Sequence, residues 1–197
     1  MRPFVRLFSR ACWKLKLVGT ENIPSEGGLI IASNHQSYID PFWISIPVNR
    51  PVRYLAWSVA FKWPLVGKVI TLLGAWPLQV EGSDPAAIRR SLQWLRDGGV
   101  LVIFPEGARS TREGTMTRFK AGAVRLALEA NVPILPVTIR GGNQVWPRNQ
   151  TLPRRGAVEI IYHPLQHIVP LAGEETRDCA RRETGVLSQT IASALNS

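Results

Sequence analysis

Leu29-Ile30-Ile31-Ala32-Ser33-Asn34-His35-Gln36-Ser37-Tyr38-Ile39-Asp40-Pro41 decides how this chain is read. Its first five residues are an apolar run of strand length, the pattern of a strand buried on both faces. A polar loop follows. Asp40-Pro41 then reads as an N-cap followed by Pro at the first helical position, opening a short helix over 41–47. The same unit recurs outward along the chain. Residues 52–56 and 74–80 read as strands, and 85–97 as an amphipathic helix ended by Gly98-Gly99. Residues 100–104 read as a second buried strand, 120–130 as a helix, 134–139 and 157–162 as strands, and 174–195 as a C-terminal helix. Residues 57–73 are rich in Trp, Phe, Val and Leu, broken by Pro64 and Gly67. Strands alternating with helices predict an α/β fold, a mostly parallel central sheet flanked by helices.

The 197 residues suit one domain over 1–197, with a motif-bearing core over 20–165. Hydrophobic residues are 45% and charged residues 19%, which excludes a disordered chain and a coiled coil. Two cysteines, Cys12 and Cys179, are too few for a disulfide framework or a zinc site and read as ordinary thiols in a reducing compartment. No run reaches the roughly 20 uncharged apolar residues of a membrane span. Residues 1–17 have helical periodicity, with Phe4, Leu7, Phe8, Ala11 and Leu15 on one face and Arg2, Arg6, Arg10 and Lys14 on another. They read as an interfacial helix in the headgroup plane or as a helix packed on its own domain, and both readings stay open. Lys and Arg outnumber Asp and Glu by 24 to 14, a net charge of +10. That charge asks for nucleic acid, an anionic membrane surface or a phosphorylated substrate.

Three clusters can carry chemistry. In Asn34-His35-Gln36-Ser37-Tyr38-Ile39-Asp40, a carboxylate five positions after a histidine can fix its tautomer and leave the other ring nitrogen to take a proton. Read alone, a loop histidine and a capping aspartate explain the same spacing. In Phe104-Pro105-Glu106-Gly107-Ala108-Arg109-Ser110, a buried strand delivers a carboxylate and a guanidinium into one tight loop, where parallel sheets bind ligands and where Arg can grip a phosphate. A surface Glu–Arg pair is the plain alternative. Arg112, Arg118 and Lys120 follow, just before Gly122 opens the next helix, as an anion site or a solvated basic face. His163 and His167 read as structural or surface residues, and no metal-ligand set is evident. There is no Gly-x-Ser-x-Gly, Walker loop, Rossmann glycine fingerprint or RNA-binding signature.

Together these segments resemble the glycerolipid acyltransferase family that contains the bacterial 1-acylglycerol-3-phosphate acyltransferases. Asn34-His35 through Asp40 matches its Asn-His-x4-Asp block. Residues 104–110 match its Phe-Pro-Glu-Gly-Thr-Arg-Ser block with Ala108 in the Thr position, Phe119-Lys120-x-Gly122 also matches, and 132–137 match Val-Pro-Ile-x-Pro-Val. One block departs: under the simplest alignment Val80 stands where the family carries an Arg for the acceptor's phosphate.

The resemblance implies acyl transfer from acyl-CoA or acyl-carrier protein to a lysophospholipid hydroxyl, with no metal and no organic cofactor. The first acceptor it implies is 1-acyl-sn-glycerol-3-phosphate, giving phosphatidic acid; another lysolipid or alcohol is the alternative. It implies His35 and Asp40 as catalytic residues. It implies Asn34, Glu106, Gly107, Arg109, Ser110, Arg118 and Lys120 as substrate-binding residues. It also implies an anionic membrane surface as partner, on the cytoplasmic face and without a span, and no nucleic acid. A nucleic-acid module and a catalytically silent membrane adaptor are the rival classes.

Overall fold

The computed structural model describes residues 13–79, 84–110, 114–147, 150 and 152–195. The strands are β1 Trp13–Val18, β2 Leu29–Ser33, β3 Val52–Trp57, β4 Ala75–Leu78, β5 Val100–Ile103, β6 Ile134–Arg140 and β7 Gly156–Tyr162. The α-helices are α1 Asp40–Ser45, α2 Pro64–Leu72, α3 Pro85–Arg96, α4 Gly122–Ala130, α5 Gly142–Val145 and α6 Thr176–Ser193. Among the described residues the strands form one sheet in the order β1-β7-β6-β2-β5-β3-β4. Among these described strand pairs only β6–β7 is antiparallel.

The central strands are apolar along their whole length because both faces are covered. Leu29, Ile31, Val100, Val102, Leu135 and Val137 pack with Trp43 and Ile44 of α1 on one side. Ile30, Ala32, Leu101 and Ile134 pack on the other with Leu92 and Leu95 of α3, Val124 and Ala127 of α4, and Leu187 and Ile191 of α6. Register aligns Ala32 of β2 with Ile103 of β5. The loops that leave these two strands therefore emerge side by side at the carboxyl end of the sheet.

Three expectations change. The helix expected over 1–17 falls outside the described residues as far as 12, and from Trp13 onward the chain is strand β1. The reason is a period of two: Trp13, Leu15 and Leu17 turn inward while Lys14 and Lys16 stay exposed. The strand runs parallel to β7, and Lys16 meets Glu159 at 2.7 Å. Hydrogen bonds from Lys16 and Arg140 hold the Glu159 carboxyl below the usual range. Residues 57–73 break at Pro64, after a 3-10 turn over Ser58–Lys62, but not at Gly67. Pro64 opens α2, where its missing N–H costs nothing, and Gly67 lies inside the helix. Asp40 is not the cap of α1. Ile39 holds that position, and Asp40 is the first helical residue. Cys179 is a buried free thiol, and Cys12 lies outside the described residues.

Candidate active site

The site is built where β2 lets go of the sheet. Asn34, fully buried, continues the ladder with its side chain: its amide nitrogen donates to the Ile139 carbonyl at 2.9 Å and its oxygen accepts from the Ile139 N–H at 2.8 Å. The amide thus stands in for one more strand residue, and the backbone is released to turn at His35.

Asp40 then gathers that turn onto itself. Its Oδ2 accepts from the N–H of Gln36 at 2.6 Å, from the N–H of Ser37 at 2.7 Å and from His35 Nδ1 at 2.8 Å. Asp40 is 0% exposed, so these charge-assisted bonds act without competition from water. This is why Asp40 does not cap α1: its carboxylate points back into the loop. With Nδ1–H donating to Asp40, the lone pair of His35 lies on Nε2. The imidazole stacks on Phe104 at 3.9 Å and 18°, and the side chain is 18% exposed. Asp40 Oδ1 is buried without a partner and lies against Gly142, where an added Cβ would stand 3.1 Å away.

The loop after β5 grips the same turn. Glu106 Oε1 accepts from the His35 N–H at 2.8 Å, and the Ser110 N–H donates to the His35 carbonyl at 2.7 Å. Glu106 Oε2 accepts from the N–H and the hydroxyl of Thr117 at 2.7 and 2.9 Å. His35 is held by its backbone on both sides, by Glu106 and Ser110. Replacing Glu106 by Ala leaves two backbone N–H groups without their acceptor. We expect a loss of about 3 kcal/mol of stability, read by urea titration; an unchanged midpoint would show that Glu106 does not tie these loops together.

The cationic residues divide. The Arg109 guanidinium lies over the Tyr38 ring at 3.4 Å, and its Nη1 is buried with no hydrogen-bond partner. Gly107 is left-handed at φ 73°, and the Lys120 side chain passes over it so closely that a Cβ would stand 3.0 Å from Nζ. The Lys120 N–H donates to the Pro105 carbonyl at 2.9 Å. Ser110 is buried with its hydroxyl unpartnered. Arg118 is exposed, and Arg112 and Val80 lie outside the described residues. His163 is elsewhere, half-buried against Thr138 at 2.8 Å, with burial pushing its imidazole below the ordinary value.

Sequence reasoning missed four contributors: Gln36, Thr117, Phe104 and Gly142. The Gln36 side chain accepts from the Gly142 N–H at 3.0 Å and donates to the Gly114 carbonyl at 3.3 Å, lacing three loops together. Only its place between His35 and Asp40 hinted at this. Thr117 and Gly142 lie too far along the chain for spacing to reveal them.

The profile of a protein family described as Acyltransferase matches residues 14–140, a span that contains His35, Asp40, Glu106, Arg109 and Lys120. The chain belongs to the acyltransferase family. It is 31% identical over 180 residues to a 1-acyl-sn-glycerol-3-phosphate acyltransferase of Borreliella burgdorferi, covering 86% of this chain and 72% of that one. A chloroplast 1-acyl-sn-glycerol-3-phosphate acyltransferase of Arabidopsis thaliana is 28% identical over 161 residues, 79% of this chain; the chain spans 44% of that relative's length. The crystal structure of the 1-acyl-sn-glycerophosphate acyltransferase from Thermotoga maritima superposes with a TM-score of 0.75 at 25% identity. The match covers 98% of this acyltransferase-family chain and 77% of that protein.

Proposed function

We propose that the protein transfers a fatty acyl group from an acyl thioester to the free hydroxyl of 1-acyl-sn-glycerol-3-phosphate, giving phosphatidic acid. The observation that carries this reading is the His35–Asp40 pair at 2.8 Å, with Asp40 fully buried and the other ring nitrogen of His35 left without a role in the fold. His35 Nε2 takes the proton of the acceptor hydroxyl as its oxygen attacks the thioester carbonyl. The carbon–oxygen bond forms, the carbon–sulfur bond breaks, and His35 returns the proton to the departing thiolate. Asp40 fixes the tautomer and stabilises the imidazolium that forms between the two steps. A thioester is already activated, so positioning and base catalysis supply much of the remaining rate enhancement without a covalent intermediate or a cofactor.

The developing oxyanion needs donors. The N–H groups of residues 35–37 are occupied by Glu106 and Asp40, so that role passes to the loop after β5. Arg109, with a buried and unpartnered nitrogen, and Lys120, lying over Gly107, grip the acceptor's phosphate, with Arg118 at the rim and the Ser110 hydroxyl beneath. Asn34 and Glu106 hold the loops that carry these groups. The donor is acyl-CoA or acyl-carrier protein. The protein works as a peripheral enzyme on the cytoplasmic face of a membrane; no described helix is long and apolar enough to cross one. A different lysolipid acceptor is the second reading, favoured by Val80 in the position where the resemblance calls for Arg.

An acceptor screen with one acyl-CoA, read by product mass, tests this. Phosphatidic acid should form from lysophosphatidic acid with kcat/KM about 100-fold above that of monoacylglycerol, which lacks the phosphate. Equal use of both acceptors would move the assignment to the second reading, and an unconsumed thioester with every acceptor would sink both.

A further inference from the structure

The connection between β3 and β4 breaks the usual rule for a protein surface. The exposed side chains of Leu65 (76%) and Leu72 (77%) are joined by those of Trp57, Trp63, Val66 and Val69 on one contiguous stretch of chain. Leu65, Val69 and Leu72 follow the i, i+4, i+7 spacing of a single helical stripe, but the stripe faces outward. Gly67 explains the orientation: an added Cβ would meet the Phe61 carbonyl at 2.3 Å, so α2 sits tightly on the preceding 3-10 turn Ser58–Lys62 by its glycine and turns its leucines away. The Trp57 and Trp63 rings meet edge to face at 6.5 Å beside them. Charge completes the pattern. No Asp or Glu occurs from residue 41 to residue 80, whereas Arg50, Arg53, Lys62 and Lys68 do, and Lys62 and Lys68 are exposed.

We propose that α2 and the turn before it form a bilayer-docking face for membranes with anionic headgroups. The leucines and valines enter the acyl boundary, the two tryptophans sit at headgroup level, and Lys62 and Lys68 meet lipid phosphates. Because β3 runs parallel to β2 and β5, Trp57 at its carboxyl end leaves the sheet at the same end as His35 and Glu106. A docked molecule thus presents the end of the sheet bearing His35 to the bilayer from which a lipid acceptor comes. The purpose of this face rests on the lipid-acceptor reading above, but docking is measured without turnover.

The full chain is sedimented with sucrose-loaded vesicles of phosphatidylcholine, with and without phosphatidylglycerol. Leu65→Gln/Leu72→Gln should lower the partition coefficient roughly tenfold or more with an unchanged thermal melt. Lys62→Gln/Lys68→Gln should erase the preference for phosphatidylglycerol. Brominated acyl chains should quench the protein's emission, and less so in Trp63→Phe. Wild-type partitioning of the double Leu variant, or equal quenching with and without Trp63, overturns the proposal. So does a lipid-free dimer that the Leu substitutions dissociate while vesicle binding persists, since that would assign the face to a second copy of the chain. A chain that binds vesicles yet consumes no thioester leaves docking standing and defeats the reaction. A chain active on a water-soluble short-chain acceptor but indifferent to vesicles does the reverse.

Discussion

Replacing His35 by Ala is expected to lower kcat by about 10²–10⁴-fold, with KM for the acceptor nearly unchanged. The split follows from the geometry. The base acts only while the hydroxyl proton is in flight, whereas the groups assigned to the acceptor's phosphate, Arg109 and Lys120, are left intact. The fold should tolerate the change because what Glu106 and Ser110 hold is the backbone of residue 35, its N–H and its carbonyl. Only the ring's stacking on Phe104 and one of the three bonds to Asp40 are lost. We expect about 1–2 kcal/mol of destabilisation, measured by thermal melting beside a thiol-release assay. A well-folded variant that turns over near the wild-type rate would remove His35 from the role of base.

Asp40→Asn is expected to be comparably severe, with kcat down about 10³-fold or more, in line with the loss of the carboxylate in Ser-His-Asp systems. Two effects combine. The amide cannot stabilise an imidazolium, and with its oxygen at the Oδ2 position the three converging bonds lose their charge assistance. Three buried bonds are weakened at once, at a cost of about 1–3 kcal/mol. Stability and catalysis are separated by combining the substitutions. If Asp40 works through His35, the double variant is no slower than His35→Ala alone. Losses that multiply in the folded double variant would show that Asp40 acts by some other route.

Much of the fold was legible because local patterns were unambiguous. The buried strands read as uninterrupted apolar runs, and the helix over 85–97 announced itself through Pro85 and the Gly98-Gly99 stop. The errors lay where two periods overlap or where a local rule met a stronger tertiary demand. Leu15 and Lys14 fit a helical wheel and an alternating strand equally well, and only pairing with β7 chose the strand. Asp40 had the credentials of a cap, but three donors in the preceding loop outbid the helix for its carboxylate.

The site divides along the same line. Motifs made His35, Asp40, Glu106, Arg109 and Lys120 candidates for chemistry, and the apolar runs pointed to one mostly parallel sheet flanked by helices. Those properties are local: residue types at fixed spacing, and burial forced by uncharged strands. Only the tertiary structure decided that Glu106 clamps the His35 backbone, that Asn34 replaces a strand residue, that Thr117 ties onto Glu106 and that Gly142 lies against Asp40. It alone turned the leucines of α2 outward. The Glu106–His35 and Asn34–Ile139 contacts join segments 71 and 105 residues apart along the chain. Their partners are chosen by the register of parallel strands, a quantity that no short window of sequence contains.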